Sequence, residues 1–347
     1  MRSLVVPSPT QPTAEQVRVT RDVARWYLAR FYRRPDDPGV PKMFTDQALV
    51  GPFAIDLDAL RDGDDAALFR LLVTTAMFQR RQDVQIMRIL RGISSEDASE
   101  LSSASSLEAL VRETSCDHVK SNRELLQECD LAKDAQGRGV CAANPSVSCH
   151  LKRHTVLLKR YGHFGKVPTS IALNVRENGG SLGALREGIF KAHRGLRARA
   201  VALETALSGA WRVNQKIASM FLAAVTNPDL LQGAAWSRGL DWRYFVVVDS
   251  NVDLFLASIR YQGSGSYDAR RAFVIALARQ IDLRTLSSAR VRAFNPRLVQ
   301  QAMYLFMSVT NRRALATDCS REGPAECARC PRTVRDRCGL RVDVHRA

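Results

Sequence analysis

Apolar positions along much of the chain recur at intervals of three and four residues, which is the period of an α-helix. The clearest case follows Lys216, where one face carries Ile217, Met220, Phe221 and Ala224. An apolar stripe of this kind is typical of a helix that packs on a core. The same period predicts further helices over 13–34, 64–93, 181–207, 267–281 and 295–313. The sequence therefore predicts an all-α fold.

Capping patterns mark where some of these helices begin. Thr13, with Gln16 three residues later, is typical of a capping box. The apolar run 244–248 is followed by Asp249, which the pattern predicts as the N-cap of a helix, a position that stabilises negative charge. Lys216 lies at the start of another helix. The chain thus offers an amine and a carboxylate at two helix starts.

Composition adds a strong positive charge to this picture. Lysine and arginine number 51 against 35 acidic residues, which gives a net charge of +16 and an isoelectric point near 10.0. Such an excess favours a polyanionic partner, nucleic acid first and an anionic lipid surface second. At 347 residues the chain can form two lobes, or one domain with insertions.

Targeting and membrane signals are weak in the sequence. No apolar run approaches the roughly 18 residues that a membrane span needs. Residues 1–12 have no hydrophobic region of signal-peptide length and are predicted to be a flexible tail. We therefore expect a cytoplasmic protein with no membrane partner. In that reducing compartment, clustered thiols hold metals more often than they form disulfides.

The eight cysteines fall into two groups of four, and the C-terminal group has the spacing of a metal site. Cys319, Cys327, Cys330 and Cys338 form a Cys-x7-Cys-x2-Cys-x7-Cys pattern. Four thiolates so arranged can hold a tetrahedral zinc ion or a four-iron cluster. Nearby arginines, among them Arg329 and Arg332, would bind DNA phosphates. The alternative is that they only increase the solubility of the protein.

The second group lies in a polar segment, 94–165, that is rich in loop signals and is predicted to be an irregular insertion. None of its cysteines lies within four residues of another, so free or buried thiols are favoured over a second metal site. A basic run over 150–163 is either a phosphate-contacting surface or a solvated helix face. The four cysteines of this segment are Cys116, Cys129, Cys141 and Cys149.

The hairpin and the following carboxylate resemble a known enzyme family. The segment from Leu207 to Lys216, the apolar run ending at Asp249 and the C-terminal cysteine quartet are similar to the helix-hairpin-helix DNA glycosylases of the endonuclease III type. The resemblance implies that Lys216 is a Schiff-base lysine and Asp249 a catalytic carboxylate. It also favours a 4Fe-4S cluster over zinc on the cysteine quartet.

The same resemblance assigns DNA contacts. Gln79, four residues before Asp83, would fill the gap that an extruded base leaves, although a helix-end polar residue needs no such role. Arg212, Asn214 and Gln215 would belong to the DNA-binding hairpin. The family has glycines where Arg212 and Asn214 stand here, and the chain carries extra residues between Lys216 and Asp249.

The implied fold has two helical lobes, one formed by 13–63 with 246–347 and the other by 64–245. The implied function is extrusion of a damaged or modified base from double-stranded DNA and cleavage of its N-glycosidic bond, with or without lyase activity, by a nucleoid-associated monomer in base excision repair. One alternative is a related branch of glycosylase-like proteins, described as pyrophosphorylases of glutamyl- or putrescinyl-thymine. Another is a non-catalytic iron-sulfur protein that binds nucleic acid.

Overall fold

A computed structural model describes residues 11–32, 44–79, 82–113, 119, 121–127, 129, 166–288, 290–314, 327–328 and 330–339. These residues form helices and no β-strand, which confirms the predicted all-α class for this part of the chain. None of the described helices has the length and the apolar character needed to cross a bilayer. The chain divides into two compact units: 1–39 with 243–347, and 40–242.

The α-helices of the first half, in chain order, are α1 (Ala14–Phe31), α2 (Gln47–Val50), α3 (Leu57–Asp62), α4 (Asp65–Met77), α5 (Asp83–Arg91), α6 (Ser95–Leu101), α7 (Ala104–Glu113), α8 (Asn122–Gln127) and α9 (Lys166–Glu177). Those of the second half are α10 (Leu182–Ala192), α11 (Leu196–Leu207), α12 (Gln215–Thr226), α13 (Ser250–Ser258), α14 (Tyr267–Arg279), α15 (Pro296–Met307), α16 (Val309–Ala314) and α17 (Arg332–Arg335). Short 3-10 turns cover Gly51–Phe53, Ala235–Ser237, Trp242–Tyr244 and Leu283–Thr285.

The unit formed by 1–39 and 243–347 packs α1, α13 and α14 around α15. Its core includes the fully buried rings of Phe255, Phe273 and Phe306. The predicted capping box is confirmed, because Thr13 and Gln16 exchange both expected hydrogen bonds at the start of α1. The helix ends at Phe31, three residues before the predicted end.

The unit formed by 40–242 is centred on α4 and α12, whose side chains are buried almost throughout. Residues 40–63 belong here rather than with the N-terminal helix, so the lobe boundary predicted from the sequence differs from the structure. The reason is local packing of α2 and the following turn against α5. At Gly51, which has a φ of 58°, an added Cβ would lie 2.9 Å from the Cα of Arg91.

The prediction of an irregular segment from residue 94 onwards is wrong for the part that is described. Helices α6, α7 and α8 bury Leu101, Leu107 and Leu125, respectively. The serine run that resembled a loop instead joins two helices, since Ser103 accepts a hydrogen bond from the amide of Ser106. The basic run 150–163 and the cysteines Cys116, Cys141 and Cys149 lie outside the described residues.

Candidate active site

The hairpin between α11 and α12 has its backbone anchored by side chains from other helices of the same unit. Asn122 of α8 donates to the carbonyl of Gly209 at 3.0 Å, and Asn174 of α9 donates to that of Ala206 at 3.0 Å. A Cβ added at Gly209 would lie 2.6 Å from the Oδ1 atom of Asn174, so a larger residue here would displace that side chain. The helix α8, which the sequence placed in an insertion, therefore supports the hairpin.

The amides of the hairpin are largely committed to bonds within the protein. The amide of Trp211 donates to the hydroxyl of Ser170 at 2.7 Å, and that of Val213 donates to the carbonyl of Ala210 at 3.1 Å. Contacts from this hairpin to a phosphate must therefore come mainly from side chains.

Arg212 stands in the left-handed region with a φ of 64°, a conformation that costs an ordinary residue about 1 kcal/mol. Its guanidinium lies 5.1 Å from the centroid of the Trp211 ring, within cation–π range. Its carbonyl accepts a hydrogen bond from the Nε2 atom of Gln79 at 3.1 Å. Asn214 is the N-cap of α12, and its Oδ1 atom accepts from the amide of Ile217 at 3.2 Å.

Gln79 follows α4 directly and is half-buried. Its Nε2 atom also donates to the carbonyl of Ala76 at 2.7 Å, so the side-chain amide is engaged in two bonds within its own unit. Gln79 thus helps to hold the backbone of the hairpin in place. Its predicted role in the DNA gap stays a prediction.

Lys216 is the second residue of α12, after Gln215, and both are half-buried. Its amine makes neither a hydrogen bond nor an ion pair with any residue that the structure describes. The Lys216 side chain is therefore available to a ligand at the N-terminal end of α12, next to the hairpin.

A buried polar pair joins the two helices on either side of the hairpin. Glu204 of α11 is 2 % exposed, and it accepts a hydrogen bond from the hydroxyl of Ser219 on α12. Buried carboxylates require such partners. The pair therefore fixes the register of α11 against α12.

Asp249 occupies its predicted place. The buried segment 244–248 delivers it to the N-cap of α13, where its Oδ1 atom accepts from the amide of Val252 at 2.9 Å. Tyr267 holds the segment just before it: its hydroxyl donates to the carbonyl of Val246 at 3.1 Å and accepts from the amide of Val248 at 3.3 Å. One oxygen of the half-buried Asp249 carboxylate, Oδ2, makes no hydrogen bond to a described residue.

The next carboxylate along α13 has a different environment. Asp253 forms an ion pair with Arg270 at 2.5 Å. Since that carboxylate is already paired, Asp249 is the better candidate for contact with a substrate.

The groups whose charge acts on Arg297 are Asp249 and three tyrosines of the same unit. Burial lowers the pKa of the Arg297 guanidinium, whereas Tyr27, Tyr267, Asp249 and Tyr32 act in the opposite direction. Burial raises the pKa of Tyr27 to about 12, so its phenol is neutral at physiological pH. This group was not predicted from the sequence, because its members come from four separate helix ends.

The cysteine segment is described in part. The amide of Cys330 donates to the carbonyl of Cys327 at 3.2 Å, which makes this pair a turn, and the fully buried Arg312 donates to the sulfur of Cys338 at 3.7 Å. Cys319 and Arg329 lie outside the described residues. Thiolates suit zinc or an iron-sulfur cluster. The residues that are described bring no three metal-binding side chains into one group.

Arg332 begins α17 and is exposed. Its Nε atom lies 3.2 Å from a carboxylate oxygen of Asp336, one turn further on. An exposed pair of this kind contributes little to stability. Its side chain can therefore exchange this partner for a phosphate, as the sequence suggested.

No protein-family model, curated protein or solved structure matches this chain. Lys216 and Asp249 belong to different compact units of the molecule.

Proposed function

We propose that the protein is a monomeric DNA N-glycosylase that extrudes a damaged or modified base and cleaves its glycosidic bond. The observation that carries this proposal is the state of Asp249, an N-capping carboxylate that retains one oxygen without a hydrogen bond to a described residue. Glycosidic cleavage develops positive charge on the sugar, which a carboxylate stabilises. Because the N-cap hydrogen bond already orients the Asp249 carboxylate, the side chain can stabilise that positive charge without changing its conformation.

Lys216 supplies the second chemical group. As a neutral amine it would attack C1′ of the deoxyribose while the base departs with the glycosidic electron pair and takes up a proton. Opening of the sugar ring then gives a Schiff base, from which strand cleavage follows. If the amine takes no part, Lys216 serves as a phosphate contact and the enzyme releases the base only.

DNA binding is supported by the charge and by the hairpin. The net charge of +16 favours a polyanion, and Arg212 and Gln215 offer side chains at a hairpin whose amides are largely occupied. The cysteine quartet would hold a 4Fe-4S cluster, with zinc as the alternative. A bound cluster would link the four cysteines of the C-terminal segment to one another.

The test uses duplexes that carry different damaged or modified bases, incubated with and without borohydride. Lys216→Ala should abolish the trapped covalent adduct, whereas Lys191→Ala, which changes an exposed lysine of the same unit, should not. Base release without an adduct would identify a glycosylase without lyase activity. Binding without release from any of these duplexes would contradict the proposal and favour a non-catalytic nucleic-acid-binding protein.

A further inference from the structure

The buried run 244–248 that leads to Asp249 is extended, yet the described residues form no β-strand that could pair with it. Buried peptide groups need hydrogen-bond partners in such a place. Tyr267, the first residue of α14, provides two of them. Its hydroxyl donates to the carbonyl of Val246 at 3.1 Å and accepts from the amide of Val248 at 3.3 Å. One phenol group thus takes the place of a paired strand.

The two hydrogen bonds fix the backbone on both sides of Val247. Because a single hydroxyl binds both peptide groups, the torsion angles of Val247 cannot change without breaking one of the bonds. Val248 then leads directly to Asp249, whose backbone has the extended conformation of an N-cap, with φ −130° and ψ 179°. The direction in which the chain presents the Asp249 side chain is therefore set, through one residue, by Tyr267.

A second contact from α14 holds the other end of the same run. Arg271, one turn after Tyr267, is 2 % exposed and donates to the hydroxyl of Tyr244. Its guanidinium carbon lies 3.8 Å from the centroid of the Tyr244 ring. Arg271 also forms an ion pair with Asp268 on its own helix. Helix α14 thus contacts the run near both of its ends, which keeps the Tyr267 hydroxyl in register with the backbone that it binds.

We propose that Tyr267 is a positioning residue, which orients the Asp249 carboxylate through the backbone of 246–248. The effect on base release rests on the proposed glycosylase function, whereas the orientation of the carboxylate does not. The amide of Val252 binds one oxygen of that carboxylate, and Tyr267 fixes the backbone that carries it. Stabilisation of a developing charge depends on groups that are placed before the reaction begins.

The experiment removes only the hydroxyl group, by Tyr267→Phe in the full chain. The matched control is Tyr261→Phe, because the Tyr261 hydroxyl donates to the carbonyl of Ser264 at 3.0 Å in the loop before α14. Both changes delete one phenolic hydroxyl from the same unit. Circular dichroism and thermal unfolding establish that each variant is folded.

Amide hydrogen exchange, followed by NMR on protein with isotope-labelled valine, gives a measurement that needs no activity. The amide of Val248 reports the bond to Tyr267, and that of Val252 reports the N-cap bond to Asp249. The fully buried Val299 of α15 is the reference for global opening of the unit. Exchange rates of the first two amides are compared after normalisation to this reference.

We expect Tyr267→Phe to speed exchange at Val248 about fivefold relative to Val299, as for one lost hydrogen bond. Exchange at Val252 should also become faster, because the Asp249 cap is no longer held in one orientation. Base release under single-turnover conditions should slow by about tenfold, with DNA affinity unchanged, since Tyr267 binds the protein backbone and not the DNA. Tyr261→Phe should alter none of these quantities.

Exchange at Val252 that follows Val299 in Tyr267→Phe would overturn the inference, because the hydroxyl would then stabilise the run without affecting Asp249. Undiminished base release by this variant would overturn it as well. A wild-type protein that releases no base would contradict the proposed function alone, and valine exchange would still decide the orientation of Asp249. If Tyr267→Phe does not fold, the same criteria apply to Tyr267→His, whose shorter ring loses the same two contacts.

Discussion

The side-chain amide of Gln79 donates a hydrogen bond to the carbonyl oxygen of Arg212, and so ties the end of α4 to the hairpin between α11 and α12. The two residues are 133 positions apart in the sequence. Arg212 stands in a strained backbone conformation, and this bond holds its peptide in place. The contact anchors the partly exposed hairpin to the core of its unit.

Replacing Gln79 with alanine should loosen the hairpin. The change leaves the carbonyl of Arg212 without this donor, so we expect a loss of about 1 kcal/mol in the free energy of unfolding, measured by urea denaturation. Affinity for duplex DNA should fall as well. Gln82→Ala is the control, because Gln82 is exposed and makes no capping hydrogen bond. Equal effects of the two changes would contradict the structural role of Gln79.

Asp249→Asn should separate capping from charge. Asparagine caps helices as well as aspartate does, so the unfolding free energy should stay within about 0.5 kcal/mol of the wild type. Base release should be lost, because the carboxylate that stabilises the sugar cation is gone. The control is Asp253→Asn, which alters a carboxylate already paired with Arg270. Excision that persists in the first variant and disappears in the second would reverse the assignment.

Two arginines with positive φ offer a paired test of the hairpin. Arg212 has a φ of 64° and Arg260 a φ of 59°. Glycine relieves the strain at either position, so each replacement should stabilise the fold by about 0.5–1 kcal/mol, measured by chemical denaturation. Only Arg212→Gly should weaken DNA binding and lower its salt dependence. A loss of DNA affinity in Arg260→Gly of the same size would argue against a specific contact by Arg212.

An iron-sulfur cluster on the cysteine quartet would give the protein a visible colour. Protein purified without oxygen should be brown and should contain iron bound by thiolate sulfur. Cys338→Ser should lose the colour and most of the iron. Cys129→Ser should keep both, because Cys129 packs against an apolar cluster elsewhere in the chain. Colourless protein with one equivalent of zinc would show that the quartet binds zinc and not an iron-sulfur cluster.

Tyr27 should make the protein sensitive to alkali. Its pKa is raised from 10.0 to about 12 because burial penalises the phenolate. A pKa that is higher in the folded state gives stability that is fully present below pH 10 and is lost as the pH rises towards 12, by about 2 to 3 kcal/mol in total. Unfolding free energies measured from pH 8 to pH 11 should therefore fall less steeply in Tyr27→Phe. Parallel curves for the two proteins would contradict this account.

Helix starts were predicted better than helix breaks. The caps at Thr13 and Asp249 depend on residues three positions away, so the local sequence contains the information. The break at His193–Gly195 and the one between Met77 and Asp83 interrupt segments that keep a helical period.

The candidate site was predicted in part for the same reason. Lys216 and Asp249 could be proposed from the sequence because each lies at the start of a helix next to an apolar run. The electrostatic influence of Tyr27 and Tyr267 on Arg297 was not predicted, since the three residues belong to three different helices. Asn122 was missed because a polar segment resembled an insertion, although its side chain anchors Gly209.

The hydrogen bond between Glu204 and Ser219 has a further consequence for how the hairpin meets a ligand. If α11 slid by one turn along α12, the buried carboxylate of Glu204 would lose its hydrogen bond from Ser219. Alternative alignments of the two helices are therefore excluded when the chain folds. The loop between the two helices is thereby shaped in advance. The conformational entropy of this loop is therefore lost when the protein folds and not when a ligand binds. More of the free energy of the ligand contacts then contributes to affinity.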